Sequence, residues 1–321
     1  MYSKNIKIIG AGLSGLSAAV VLGKAGYNSI VYEKNSEVGH KFGRNICALR
    51  NYPGGDPLKE FRKLGLTVNS VSRTEQVVKM SPSFSRIMGR RRYYLLNTGG
   101  AKLALEQQLY ADALSNGVKF YFNWDKPVNA DINATGTPAE KANIYGTGFN
   151  YLDLNVEKDT LYLLYDNNIV PNGYAYVLSY GKHSTVMAVT FDKRKFSSLD
   201  EIFLKAIHMN QFLNKITKDA TLVERVGGYG YYSKNPYSKA ANGKQLLVGE
   251  AAGFQDASRG FGIRYAIISG ALAAKSIIEK EDYVSLLKEY FKDEFEKNLE
   301  RRKIHDTLIN EDYDNSVGAM F

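Results

Sequence analysis

The residues Gly10-Ala-Gly-Leu-Ser-Gly15 have the spacing that lets a backbone hold a pyrophosphate. Gly10 permits a tight turn out of a strand, Gly12 lets a phosphate approach the backbone, and Gly15 lets a helix close on that strand. Leu13 and Ser14 then fall in the first turn of the helix, whose free N–H groups and positive dipole end favour an anion. An apolar run from Ile6 to Ile9 precedes the turn, and Ile30-Val31-Tyr32 follows the helix and ends at Glu33, with Lys34 beside it. A carboxylate at that strand end accepts both ribose hydroxyls and repels a 2′-phosphate, so FAD or NAD is favoured over NADP. The strand, turn, helix and acid together make the signal strong.

A second small-residue segment decides between them. Gly249-Glu250-Ala-Ala-Gly253 follows the apolar run Gln245-Leu-Leu-Val248, and Gly260-Phe261-Gly262-Ile263 opens a further helix. Both places permit close approach of backbone to a ligand. The second helix start can direct its dipole at the pyrimidine end of a flavin and stabilise the negative charge of the reduced ring. Either half alone reads equally as close helix–strand packing. With the N-terminal unit, the pair points to FAD.

The run from Gly249 to Ile263 resembles, without a gap, the second FAD motif of the geranylgeranyl reductase branch of the p-hydroxybenzoate hydroxylase-like flavoproteins. Glu250 stands where that family has Asp, and Ala257 where it has Pro. Lys102-Leu-Ala-Leu-Glu106, with Leu109, Ala113 and Gly117, is similar to the helix whose leading Arg contacts the cofactor; Lys102 keeps the charge and loses the planar fork. Asp131-Ile-Asn-Ala134-Thr135-Gly136 resembles the strand and turn that approach the dinucleotide a second time. Asn172-Gly-Tyr174-Ala-Tyr176-Val-Leu-Ser179 is similar to the substrate-domain strand Gly-Tyr-x-Trp-x-Phe-Pro, with Tyr176, Leu178 and Ser179 replacing Trp, Phe and Pro. Arg225 to Gly230 resembles the double-glycine strand, and the likeness spans about residues 1 to 275.

The resemblance implies saturation of isolated C=C bonds in a polyprenyl chain by hydride from reduced flavin, with a proton supplied to the other carbon. It also places Cys47 near the flavin, where a thiol relays a proton or shapes the pocket; a lone Cys reads equally as a small buried apolar residue. Tyr174 and Tyr176 join Cys47 as catalytic candidates, with Arg44 on the cofactor side and His40 a weaker pocket candidate. A second nicotinamide-type Gly-x-Gly-x-x-Gly is absent, so the electrons come from an external donor: transiently bound NADPH, ferredoxin or a deazaflavin. Two other readings stand beside this one. One is a flavin-dependent monooxygenase of the same fold; a halogenase is disfavoured because the single Trp, Trp124, leaves no Trp-rich motif. The other is a degenerate FAD-binding or partner protein without catalysis.

The elements that must position these residues give an α/β fold: a Rossmann-like FAD-binding domain of glutathione-reductase type with an inserted antiparallel β-sheet substrate domain and C-terminal helices. The FAD domain is discontinuous, over 1–65, 98–144 and 240–281; the substrate domain takes 66–97 and 145–239, and a helical segment 282–321. Strands are expected over Leu66–Met80, Phe84–Met88 and Tyr93–Leu96, and helices over 101–116, 199–216 and 262–279. Tyr145 to Thr190, rich in aromatic and β-branched residues with turn signals between, reads as an antiparallel meander. Val284, Leu287, Phe291, Phe295 and Leu299 form an apolar stripe at helical spacing.

Composition sets outer bounds. The 321 residues are 44% hydrophobic, enough for a core larger than one small domain needs. No apolar run reaches membrane-spanning length, and no signal peptide is expected before the first strand. The single cysteine excludes an intrachain disulfide framework and a Cys-rich zinc site; no metal site is expected. The net charge of +9 suits an anionic partner. Arg90-Arg91-Arg92 followed by two Tyr reads as one face of a strand, so no nucleic acid is expected. The expected partners are a hydrophobic prenyl substrate, an anionic membrane surface met through the Val284–Leu299 stripe, and an electron-donor protein. The expected location is cytoplasmic, with a peripheral station at the inner face of the membrane.

Overall fold

A computed structural model describes residues 5–40, 44–51, 55–69, 71–89 and 93–319. Arg90-Arg91-Arg92 and the side chain of Arg44 lie outside the described residues. The chain opens with β1 (Ile6–Ile9), α1 (Leu13–Lys24) and β2 (Ser29–Tyr32). α1 is buried on nearly every side, which its Gly, Ser and Ala residues allow, and Gly26 just beyond it takes φ +77°. Then come β3 (Arg44–Arg50) and α2 (Pro57–Lys63), the latter started by Asp56, whose carboxylate accepts the Leu58 N–H at 2.9 Å.

The strand expected over Leu66–Met80 is two strands, β4 (Val71–Arg73) and β5 (Gln76–Met80). Thr74, fully buried between them, bonds the backbone of Tyr93 and turns the chain from one sheet to another. β6 (Ser85–Ile87), β7 (Tyr93–Gly99), α3 (Leu105–Ser115), β8 (Lys119–Tyr121) and β9 (Ile132–Asn133) follow. The meander is β10 (Ile144–Leu152), β11 (Thr160–Leu164), β12 (Gly173–Tyr180) and β13 (His183–Thr190). The helix expected over 199–216 is split into α4 (Leu199–Met209) and α5 (Gln211–Thr217), because the Asn210 side chain caps α5 by accepting the Leu213 N–H at 3.0 Å. β14 (Thr221–Gly230), β15 (Ala241–Asn242), β16 (Gln245–Leu247), α6 (Ile263–Glu279), α7 (Tyr283–Phe291), α8 (Glu294–His305) and α9 (Asn310–Gly318) complete the described chain.

Three sheets result. The first runs β15-β16-β9-β1-β2-β8, parallel except for the β15 edge. The second runs β14-β10-β13-β12-β11-β5-β6. It is antiparallel except for one pair, β5 with β11, which run parallel; the expected all-antiparallel sheet is corrected there. β3-β7-β4 form a small antiparallel sheet between them. The two faces of the large sheet alternate as the pleat dictates. Ala175, Val177, Val186 and Ala188 pack under α4 and α5, while Tyr174, Leu178, Leu161 and Leu163 face β3, β7 and Phe261.

The Val284–Leu299 stripe does not face outward. Leu287 and Phe291 are fully buried and Phe295 nearly so. Phe295 packs tilted against Tyr265 at 5.1 Å and against Phe254 at 5.6 Å between ring centroids. The stripe closes the base of α6, so it cannot also be the membrane-facing surface. No described helix is long and apolar enough to cross a membrane.

Candidate active site

The first glycine turn has the geometry its spacing demands. Gly10 sits at φ +97°, and a Cβ there would stand 2.4 Å from the Ala134 carbonyl oxygen. A Cβ on Gly15 would stand 2.0 Å from the Gly10 oxygen, which forces α1 and β1 into contact. Gly12 is the opposite case: nothing lies within 4 Å of the space a Cβ would fill, directly before the free N–H groups of α1. Leu13 is half-buried and Ser14 buried. Glu33, 8% exposed, accepts the Ala11 N–H at 2.7 Å through one oxygen and both the backbone and side-chain N–H of Asn35 through the other. Its carboxylate is fixed at the edge of the turn. Lys34 and Lys102 are exposed, and His40 is exposed near Glu37.

The second glycine segment meets the first at one residue. A Cβ on Gly249 would stand 2.8 Å from Ser14 Oγ, and one on Gly270 would stand 2.0 Å from the Ser14 carbonyl oxygen. The Gly249 N–H donates to Ser269 Oγ at 2.9 Å. Ala134 is buried against the first turn, Thr135 is exposed, and Gly136 turns at φ +72°. Thr137 Oγ1 then donates to the Glu250 carbonyl at 2.8 Å, tying that loop to the second segment. The Glu250 carboxylate accepts Gln255 Nε2 at 3.1 Å. Gly260 turns at φ +76°, and a Cβ on Gly262 would collide with the Gln255 amide at 2.7 Å. Ile263 begins α6.

An ion-pair knot holds that helix start. Arg264, 3% exposed, pairs with Glu60 from α2 at 2.6 Å and with Glu294 from α8 at 2.7 Å. Both carboxylates meet two guanidinium nitrogens. The sequence reading passed over Arg264, because its partners are 204 residues before it and 30 after it.

The third part is an aromatic chamber. Cys47 on β3 is half-buried, 3.4 Å from Thr98 Oγ1 and 3.9 Å from Asn45 Nδ2. Burial, with the Glu106 carboxyl nearby, pushes its thiol up to about 11, so it stays protonated at neutral pH. Tyr176 neighbours Cys47 and donates its hydroxyl to Met187 Sδ at 3.0 Å. Tyr174 donates to the Arg259 carbonyl at 2.6 Å, a bond that holds the 256–260 loop. Both phenols are raised by burial. Phe261 packs tilted against Tyr93, ring centroids 5.8 Å apart, and so joins the second glycine segment to the chamber. Sequence reasoning gave no role to Glu106, Tyr165 or Arg259, although Glu106 and Arg259 fall inside segments that carry the resemblance.

These residues fit an FAD: open space before α1, a carboxylate in place of a phosphate-binding cation at the end of β2, and a second helix start beside an aromatic chamber. A polar cleft of about 490 Å³ lined by Lys7, Asp131 and Lys244 lies at the amino ends of β1, β9 and β16. That is the opposite end from the one where open α/β sheets bind ligands. Among the described residues no group of three or more His, Cys, Asp or Glu stands ready to hold a metal.

Comparison with known proteins agrees with this geometry. Residues 8–45 match the family model described as NAD(P)-binding Rossmann-like domain. A digeranylgeranylglycerophospholipid reductase of Methanocaldococcus jannaschii is 25% identical over 98% of this chain and 90% of its own. The crystal structure of a geranylgeranyl bacteriochlorophyll reductase-like protein from Thermoplasma acidophilum superposes with a TM-score of 0.76 at 19% identity, over 98% of this chain and 90% of the other. A myxobacterial chondrochloren halogenase, a variant of the FAD-dependent halogenases, superposes at 0.63 with 12% identity, over 89% and 78%. In sequence the chain is thus similar to proteins named as digeranylgeranylglycerophospholipid reductases, and it shares its fold with a geranylgeranyl reductase-like protein and an FAD-dependent halogenase.

Proposed function

We propose that this chain reduces C=C bonds of a polyprenyl, geranylgeranyl-type group on an isoprenoid lipid or diphosphate, using bound FAD. The observation that carries the reading is the meeting of both glycine segments on Ser14, with Phe261 leading from the second into a chamber lined by Tyr93, Tyr174 and Tyr176, while Cys47, near Tyr176, packs on the other face of β3. The N–H groups of Leu13 to Gly15 would hold the pyrophosphate and Glu33 the ribose. Ala134 to Gly136, Glu250 and the Gly260–Ile263 turn hold the remainder. FAD, once reduced, supplies the hydride. Its electrons would come from an external donor of the NADPH, ferredoxin or deazaflavin kind.

The chain's own contribution is apolar walls and a protonated thiol. An isolated alkene has no polar handle, so aromatic and aliphatic surface must orient it and exclude water. Cys47, held as a thiol, is a proton source that does not compete as a nucleophile. Tyr174 and Tyr176 act as walls, with their hydroxyls committed to Arg259 and Met187.

The test is direct. Purified protein is expected to show a flavin spectrum, and an organic extract to contain a prenyl compound by mass spectrometry. Supplied with dithionite and a geranylgeranyl lipid, it is expected to yield a product heavier by two hydrogens per bond reduced. Protein that is folded, colourless and refuses added FAD would sink the reading.

A further inference from the structure

A chain of hydrogen bonds ties Cys47 to the edge strand of the large sheet. β3, which carries Cys47, and β13, which carries Thr185, lie in different sheets. Ile46 packs among Leu178 and Val189 where the two meet. Apolar contact of that kind is non-directional.

Thr185 supplies the direction. It is fully buried. Its Oγ1 accepts the Ile46 N–H at 3.3 Å, and its proton is shared between Asn150 Oδ1 at 2.6 Å and Asn45 Oδ1 at 3.2 Å. Asn150 is held in turn from β14, where the Glu224 carboxylate accepts its Nδ2–H at 3.0 Å. A carboxylate takes only donors, so Glu224 fixes the Asn150 amide with its oxygen toward Thr185.

Asn45, 6% exposed, closes on the sulfur from the other end. Its Nδ2–H points to Cys47 Sγ at 3.9 Å, and its backbone carbonyl accepts Thr98 Oγ1–H at 3.5 Å. With that proton so placed, Thr98 Oγ1, 3.4 Å from the sulfur, is left to accept the thiol proton. The sulfur takes one hydrogen bond and gives one, and each strengthens the other.

We propose that Thr185 is a positioning residue for Cys47: through Asn45 it pins the thiol to the substrate sheet and fixes the direction of its S–H bond. Its use in catalysis rests on the reductase reading above. There the S–H bond breaks as its proton joins the alkene carbon that the hydride does not take, and water returns a proton to the sulfur. Misplacement by a fraction of an ångström slows such a transfer steeply. Tyr174 and Tyr176 stand on β12, which pairs with β13. One hydroxyl on β13 therefore sets the thiol against the surface that orients the substrate.

Cys47 is the single cysteine of the chain, so the protein has one S–H stretching band in the infrared. The band is read on purified protein with FAD added, and Cys47→Ala assigns it by its loss. Thr185→Val keeps the shape and removes the hydroxyl. It is expected to shift the band to higher wavenumber, and Thr185→Ser to return it to the wild-type position. Asn45→Ala leaves the Thr185–Asn150 bond in place and is expected to give the same shift, with no further shift in the double variant. In turnover with a geranylgeranyl lipid, Thr185→Val is expected to lower kcat roughly tenfold and to leave KM within about twofold. A merely structural hydroxyl lowers the melting temperature without moving the band. A band that stays in place in folded Thr185→Val and Asn45→Ala overturns the proposal. So does an equal loss of kcat in Thr185→Val and Thr185→Ser. Should the band shift as expected while no prenyl compound is reduced, the pin stands and the reductase reading falls.

Discussion

Glu106 shows how much a single side chain can depend on its surroundings. It sits in the first turn of α3, 7% exposed, accepting the Gly99 N–H at 2.8 Å. Burial pushes its carboxyl up to about 7, against two backbone hydrogen bonds that pull it down. Between roughly pH 4.5 and 7 the unfolded chain releases this proton and the folded chain keeps it. Stability therefore falls as pH rises through that window, by up to about 3 kcal/mol, and levels off above it. Glu106→Gln keeps an acceptor for Gly99 and removes the titration. The variant is expected to melt higher than wild type at about pH 8 and to lose that advantage near pH 5; an equal gap at both would refute the account. Nothing in Leu105-Glu106-Gln107 announces this burial. The glycine turn was legible because Gly10, Gly12, Gly15 and Glu33 act through backbone and near neighbours. Tyr165 and Arg259 act through groups far along the chain, and Glu106, though its partner Gly99 is seven residues before it, is buried by tertiary packing, so their residue types alone carried no message.

At the scale of elements, α6 is the member on which the site depends. Its first turn follows the second glycine segment, its small residues admit α1, and its start is fixed by Arg264 between α2 and α8. Removing the guanidinium leaves two carboxylates facing each other with no cation between them. Arg264→Ala is expected to cost roughly 3–5 kcal/mol in urea unfolding. Arg264→Lys should recover little, since an ammonium cannot reproduce the paired contacts; full recovery by Lys would argue against the bidentate geometry as the source of stability. Periodicity located α1, α6 and the strands of the meander, because a 3.6- or 2-residue repeat is a local property. It did not show that β5 runs parallel to β11, since that pairing joins distant segments, nor that Asn210 divides one helix into two.

For the whole molecule, the buried stripe changes what the net charge of +9 can do. With Leu287, Phe291 and Phe295 closing the base of α6, attraction to a membrane carrying prenyl lipid would be electrostatic and short-ranged. The protein is expected to pellet with anionic vesicles at low salt, to ignore neutral ones, and to be released by about 0.5 M NaCl, where the Debye length falls to a few ångströms. Retention at high salt would show an inserted apolar surface instead. The parallel sheet carries a further consequence. β1, β2, β8 and β9 lie within the first 133 residues, but the neighbour that covers β9 is β16, at Gln245–Leu247. At ribosomal speeds of about 5–20 residues per second, the wait between them is on the order of ten seconds. During that interval the growing chain holds a finished glycine turn beside an open strand edge, the kind of edge that pairs with the wrong partner. Assembly of the cofactor cradle is thus a late event in the life of each polypeptide, and its yield should respond to whatever shields β9 while the large sheet is being made.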